Sequence, residues 1–215
     1  MNLFIISVIL IALIQGLDAR ATSRSTGGIS RQCASPSSPV HLTRLNIDPN
    51  PVLLPGDMFF SIEGYTNRTL GSSALHLDIE REGSWFNIPI PCFRKIGSCT
   101  YNDMCTMLED MVSENWMGIT RNLAQNIQQM LRRNGMTPGL CPQPPQTLSI
   151  IRNRIQLPRL PSALYWFAEG TYRANVRVTD NTSGEELVCF DMRINMKQQE
   201  EQEEECSGFW GCLLN

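Results

Sequence analysis

The chain of 215 residues has little of what enzymes draw on. It holds two histidines, His41 and His76, and no G-x-S-x-G run, so hydrolytic chemistry by a nucleophile and its base has almost no material. His76 falls on the polar face of an alternating stretch and His41 beside a loop, and both read as surface residues. No C-x-x-C pair is present and both histidines lie far from any cysteine in sequence, which argues against zinc. No metal, no cofactor and no catalytic residue is therefore expected, and the chain reads as a non-enzyme. Basic excess is missing too: 18 Lys and Arg face 21 Asp and Glu, a formal net charge of −3, so nucleic acid is not an expected partner. Beyond residue 14 no apolar run is long enough to span a bilayer. Hydrophobic content of 42% against 18% charged is that of a chain with a packed core rather than a disordered one.

Features of a secretory route are present. Residues 3–14 form an apolar run of signal-peptide length, and Ala19-Arg20-Ala21 supplies a small-residue cleavage site, so residues 1–21 read as a signal peptide. All eight cysteines (Cys33, Cys92, Cys99, Cys105, Cys141, Cys189, Cys206 and Cys212) follow it, and an even number in an oxidising compartment reads as a disulfide framework. Two sequons, at Asn67 and Asn181, sit in polar turn-like stretches where a glycan can be accommodated.

Residues 22–32 read as a flexible arm rich in Ser and Gly. Strand-like runs follow at 42–47, 58–63, 75–80 and 85–90, punctuated by Pro49, Pro51, Pro55-Gly56, Pro89 and Pro91. The period then changes. Tyr101, Met104, Cys105, Leu108, Met111 and Val112 recur at helical spacing, and a second helix is predicted over about 115–133, making a helical insertion at about 101–133. Arg132 and Arg133 complement the helix dipole at its end, and Gly135 suits a C-terminal cap. Strands resume at 148–157 and 172–178, and a polar turn at 180–185 leads to a last strand at 188–196 as a hairpin. Many short strands with turns between them indicate a β-sandwich. Residues 198–205 are an acidic run whose five Glu exceed the whole net charge, and Cys206 and Cys212 then bracket Phe209 and Trp210 in a small ring.

Two motifs are more specific. Trp85-Phe-Asn-Ile-Pro-Ile-Pro-Cys92, followed by Ile96-Gly-Ser-Cys99-Thr and a third cysteine on the predicted helix, resembles the ganglioside activator family. These are lysosomal lipid-presenting cofactors of β-hexosaminidase A, within the wider ML lipid-recognition superfamily. The proline-rich segment from Leu45 to Gly56, Ala168-Glu-Gly-Thr-Tyr-Arg173 and Leu187-Val-Cys189 extend the likeness over roughly 33–197. The resemblance implies an all-β fold, an immunoglobulin-like antiparallel β-sandwich opened into a hydrophobic cup. It also implies the pairs Cys33 with Cys189, Cys92 with Cys99 and Cys105 with Cys141. The chain departs from the family in two places. A further cysteine pair before the counterpart of Cys141 is missing, with the predicted helix in its place, and the acidic tail with its ring has no counterpart. Cys206 and Cys212 are left to pair with each other.

Such a protein carries its function in apolar surface. The expected lipid-binding positions are Leu75, Leu77 and Ile79 on one strand and Tyr172, Val176 and Val178 on another. Phe190, Met192 and Ile194 on the last strand complete the set. Inward residues of this kind fill a core or line a cavity according to whether the sheets part. Trp85, Phe86 and Trp166 are candidates for membrane docking, against the alternative of filling the ends of the core. Trp116, Leu123 and Ile127 are candidates for a lid over the cup, against simple packing on the sandwich. The expected function is a secreted protein that sequesters a glycosphingolipid-like molecule, extracts it from membranes and presents it to a glycosidase. The alternative is a secreted signalling or recognition protein acting on a receptor through a bound lipid or the C-terminal ring. Expected partners are the lipid, a transient membrane surface and a glycosidase, and the expected location is extracellular or lysosomal.

Overall fold

Alternating apolar and polar residues turn one side of each strand inward, and the backbone donors and acceptors then pair from strand to strand. The computed structural model describes residues 27–199. The predicted signal peptide and the ring of Cys206 and Cys212 lie outside the described residues. The strands are β1 (Gly27–Gln32), β2 (Val40–Asp48), β3 (Val52–Leu54), β4 (Gly56–Thr66) and β5 (Ser73–Arg81). They continue with β6 (Ile88–Pro89), β7 (Thr100–Tyr101), β8 (Thr147–Leu157), β9 (Gly170–Asp180) and β10 (Glu186–Gln198). Between β7 and β8 come helix α1 (Met104–Glu114), a 3-10 turn (Trp116–Gly118) and helix α2 (Thr120–Arg133). The order along the hydrogen-bonded path is β6-β5-β9-β10-β1-β2-β4-β8, with β7 on β5. Every pairing is antiparallel except that of β3 with β10. The result is an antiparallel β-sandwich with a small helical insert.

Strand β1 occupies part of the arm expected to be flexible. It pairs with β10 on one side and β2 on the other, joining the two halves of the sandwich. Pairing satisfies backbone groups of β10 and β2 that would otherwise face a gap. Gly28 permits the fit, because a Cβ there would stand 3.0 Å from the Leu45 carbonyl. Cys33 and Cys189 form a disulfide directly after β1, and Cys33 N–H also donates to the Cys189 carbonyl at 2.9 Å.

The inward face of β5, β9 and β10 is a ladder of apolar side chains in register. Leu75 lies opposite Val178 and Leu77 opposite Val176. Val178 and Val176 lie in turn opposite Val188 and Phe190. On the other half, Ile150 and Ile155 of β8 are both buried although five residues apart, an odd spacing that would put them on opposite faces of a regular strand. A bulge between them resets the phase, with Arg152 in the left-handed region (φ 49°) and its N–H donated to Ser61 Oγ at 2.9 Å. Met130 of α2 packs against these two isoleucines, and Leu123, Ile127 and Leu131 flank the cluster.

Two helices were expected, and the second, expected from about residue 115, starts later than that. Asn115 (φ 47°) and Met117 (φ 52°) are left-handed, so α1 ends at Glu114, and α2 begins only at Thr120. Thr120 Oγ1 donates to the Met111 carbonyl at 2.9 Å, and Arg121 Nε to the Val112 carbonyl at 3.0 Å. Asp103 caps α1 by accepting from Cys105 N–H at 2.8 Å. Of the predicted strand at 85–90 only Ile88–Pro89 is paired, and Trp85 and Phe86 stand in the preceding loop.

The three disulfides implied by the resemblance are present, and Cys105–Cys141 ties the start of α1 to the loop before β8. This cross-link closes 36 residues of chain, worth roughly 4 kcal/mol by loop-closure entropy. Replacing both cysteines with serine is expected to lower the unfolding free energy extrapolated from urea titration by about that amount, and with it the urea midpoint. An unchanged midpoint would mean that the helices hold their place without it.

Candidate functional site

Helix α1 contains no buried residue, although its apolar side chains Met104, Met107, Leu108 and Met111 recur at the spacing of one face. That face borders a cavity of about 750 Å³. Opposite stand Leu75, Leu77 and Ile79 of β5 with Val178 of β9, while α2 contributes Leu123, Ile127 and Leu131. Thioethers are flexible and polarizable, so a methionine wall adapts to irregular apolar shapes. The volume falls in the range of small-molecule sites.

Of the nine positions expected to meet lipid, the cavity brings together Leu75, Leu77, Ile79 and Val178. Tyr172, Val176, Phe190, Met192 and Ile194 share their sheet face by register but are not among its lining residues. Tyr172 is buried further along that face, and burial pushes its hydroxyl pKa up. The three lid candidates Trp116, Leu123 and Ile127 all line the cavity. Trp116 is buried in the wall, stacked on Tyr101 with ring centroids 5.4 Å apart. The methionine face of α1 was not assigned to the site from sequence, though its helical spacing is readable there.

The 3-10 turn after α1 is latched to the loop of the Cys92–Cys99 disulfide. Lys95 Nζ donates to Glu114 Oε2 at 2.6 Å and rides over the Trp116 ring at 5.3 Å. Trp116 Nε1 donates to the same Glu114 oxygen at 2.7 Å, and Tyr101 Oη donates to the Lys95 carbonyl at 2.9 Å. Gly97 shapes this loop: its φ is 106°, and a Cβ there would lie 2.3 Å from the Pro91 carbonyl oxygen.

Trp85 is 95% exposed and Phe86 73% exposed. Ile88 and Phe93 are exposed nearby in sequence. The loop that carries Trp85 and Phe86 has a fixed root. Glu82 N–H donates to the Thr171 carbonyl, and the Glu82 carboxylate accepts from Arg193 Nε at 2.9 Å and Arg173 Nε at 2.6 Å. Arg193, with Arg173, holds that carboxyl below its ordinary pKa. The side chain of Trp166 lies outside the described residues.

The outer face is polar. His76 sits between the hydroxyls of Thr100 and Thr179 at 3.2 and 3.1 Å, and His41 stacks on Tyr65. Both sequon asparagines are exposed, but the Asn181 amide donates to Ser72 Oγ and to the Asn102 carbonyl, each at 2.8 Å. Among the described residues no cluster of three or more His, Cys, Asp or Glu could hold a metal ion, and no helix is long and apolar enough to cross a membrane. The cavity lining is apolar apart from Lys95 and a few hydroxyls and amides.

Hydrogen bonds from Lys95, then Trp116, hold the Glu114 carboxyl below its ordinary pKa of 4.5. The lowered value means that the latch stabilises the fold above about pH 4.5 and fades only as the pH falls through the lower folded value. A carboxyl-carbon NMR titration is expected to place Glu114 below 4.5 and to return it upward in Lys95→Met. An unmoved midpoint in the variant would leave the latch without an electrostatic part.

No family model matches the chain. It is similar to the ganglioside GM2 activator of Mus musculus, 27% identical over 175 residues that cover 80% of this chain and 83% of that protein. It is likewise similar to the ganglioside GM2 activator of Macaca fascicularis, 28% identical over 194 residues, 88% of this chain and 94% of that one.

Proposed function

We propose that this chain, a ganglioside GM2 activator-like lipid-binding protein, takes the apolar part of a glycosphingolipid-like molecule into the cavity between α1, α2 and β5, lifts it from a membrane and presents its headgroup to a glycosidase. The observation that carries the reading is an amphipathic helix whose apolar face is only partly buried within the protein and borders an apolar cavity. A methylene removed from water contributes about 0.8 kcal/mol, so a chain of about 18 carbons costs on the order of 14 kcal/mol to expose. No single polar contact offsets that, whereas a wall of Leu, Ile and Met side chains does. The names of the two relatives describe activators of a ganglioside, which favours presentation over storage.

Trp85 and Phe86 are the docking surface in this reading. Interfacial aromatics are at home among lipid headgroups, and their loop is rooted by Glu82 so that it projects as a fixed element. The three disulfides fit passage through the oxidising secretory route, to a destination outside the cell or in the lysosome.

Vesicle extraction of a labelled glycosphingolipid separates the two parts. Leu77→Asp places a charge in the apolar wall and is expected to lower extraction on the order of a hundredfold, with the fold kept as judged by near-ultraviolet circular dichroism. Trp85→Ala with Phe86→Ala is expected to lower vesicle association about tenfold while lipid already in solution still binds. Extraction unaffected by Leu77→Asp would remove the cavity from the function.

A further inference from the structure

Among the described residues, the lining of the cavity contains one formally charged side chain, Lys95. Every other lining residue is apolar or neutral, with a handful of hydroxyls and amides such as Tyr101, Thr120, Gln143 and Gln146. Lys95 stands in the tight loop closed by Cys92 and Cys99, and its side chain is about half accessible, at 51%. The side chain therefore borders the cavity at a wall that water reaches, with its ammonium over the ring of Trp116, which also lines the cavity.

The Lys95 contacts leave it both fixed and available. An ammonium has three N–H donors. One meets Glu114, while the Trp116 ring face beneath holds the charge in place without using a donor. Glu114 also accepts from Trp116 Nε1, so it keeps a donor when Lys95 turns toward a ligand. Solvent around Glu114, whose side chain is 46% accessible, screens repulsion between its carboxylate and an incoming anion.

Resting on the lipid-binding reading above, we propose that Lys95 makes the cavity selective for amphiphiles whose polar end is negatively charged: a carboxylate, phosphate or sulfate next to a long apolar chain. The chain lies against β5 and α1, and the anionic end meets the free N–H groups of Lys95. A neutral amphiphile of equal length gains the same apolar burial and leaves the ammonium with Glu114 alone. Charge-assisted hydrogen bonds at a half-exposed site give a preference of about tenfold.

The test is displacement of Nile red, a neutral probe, from the full secreted chain by three matched 16-carbon compounds: hexadecanoate, hexadecyl phosphate and hexadecanol, each below its aggregation limit. The acid and the phosphate are expected to displace the probe at about tenfold lower concentration than the alcohol. Lys95→Gln is expected to bring the ratio of the alcohol and anion concentrations to about one, and Lys95→Arg to keep it at about ten; the ratio is read within each variant, so a change in overall affinity from the lost Glu114 contact cancels. Displacement of Nile red by hexadecanol from each variant shows that it retains its cavity. A gain for both anions assigns selectivity to charge, and a gain for one assigns it to that headgroup. Equal binding of all three by the natural chain, or a preference that survives Lys95→Gln, overturns the proposal. Failure of Nile red and all three compounds to bind overturns the lipid-binding reading itself.

Discussion

Apolar side chains on three elements face a space that the polypeptide does not fill. Burial of such surface drives folding, and an ordinary domain closes its helices and sheets until none is left over. Here β5 and α1 are kept apart by what holds each in place. Strand β5 is fixed by nine paired positions along β9. Helix α1 is pinned at its start by the Cys105–Cys141 disulfide and at its end by the Lys95–Glu114 and Trp116 contacts. Helix α2 fills the other half of the sandwich, with Met130 against Ile150 and Ile155, and turns Leu123 and Ile127 toward the opening. Collapse onto the void would have to break the latch or the cross-link.

The same arrangement divides the surface by chemistry. Inside are mainly Leu, Ile, Val and Met, with Lys95 the one charged lining residue among the described residues. Outside, the β5, β9 and β10 strands carry ion pairs, of which Glu82 with Arg173 and Arg193 is the most connected. Exposed pairs of this kind contribute little stability. Their place at the foot of the Trp85 loop gives them a geometric role: the two exposed aromatics project from a base tied to two strands. In the proposed function, the aromatic loop meets the membrane and the apolar wall receives the lipid.

Much of this was legible in the sequence. Alternation at Leu75, Leu77 and Ile79 and again along β9 and β10 marks the inward ladder, because a period of two leaves no choice of face. The cysteine motif, through its family likeness, carried the three pairings. Less legible was anything that depends on backbone outside the regular periods. The bulge at Arg152 lets Ile150 and Ile155 share a face, and left-handed Asn115 and Met117 delay the start of the second expected helix to Thr120. Strand β1 was hidden because Gly27 and Gly28 carry no pattern, and only the neighbouring strands create the slot they fill. Sequence alternation shows which side of β9 and β10 is inward but not which inward residues meet a void. That depends on the approach of α1, which Lys95 and Glu114 fix from opposite ends of a contact 19 residues apart in sequence.

The account stands or falls on an apolar chain lying between α1 and β5. Loading the full protein with a long-chain lipid that carries a diazirine near the end of its chain, followed by irradiation and peptide mapping, tests this directly. The account predicts that labelling concentrates on Met104, Met107, Leu108 and Met111 of α1 and on Leu75, Leu77 and Ile79 of β5. Labelling confined to the exposed loop of Trp85 and Phe86, with α1 and β5 unmarked, would contradict it and leave a protein that touches membranes without taking lipid into its interior.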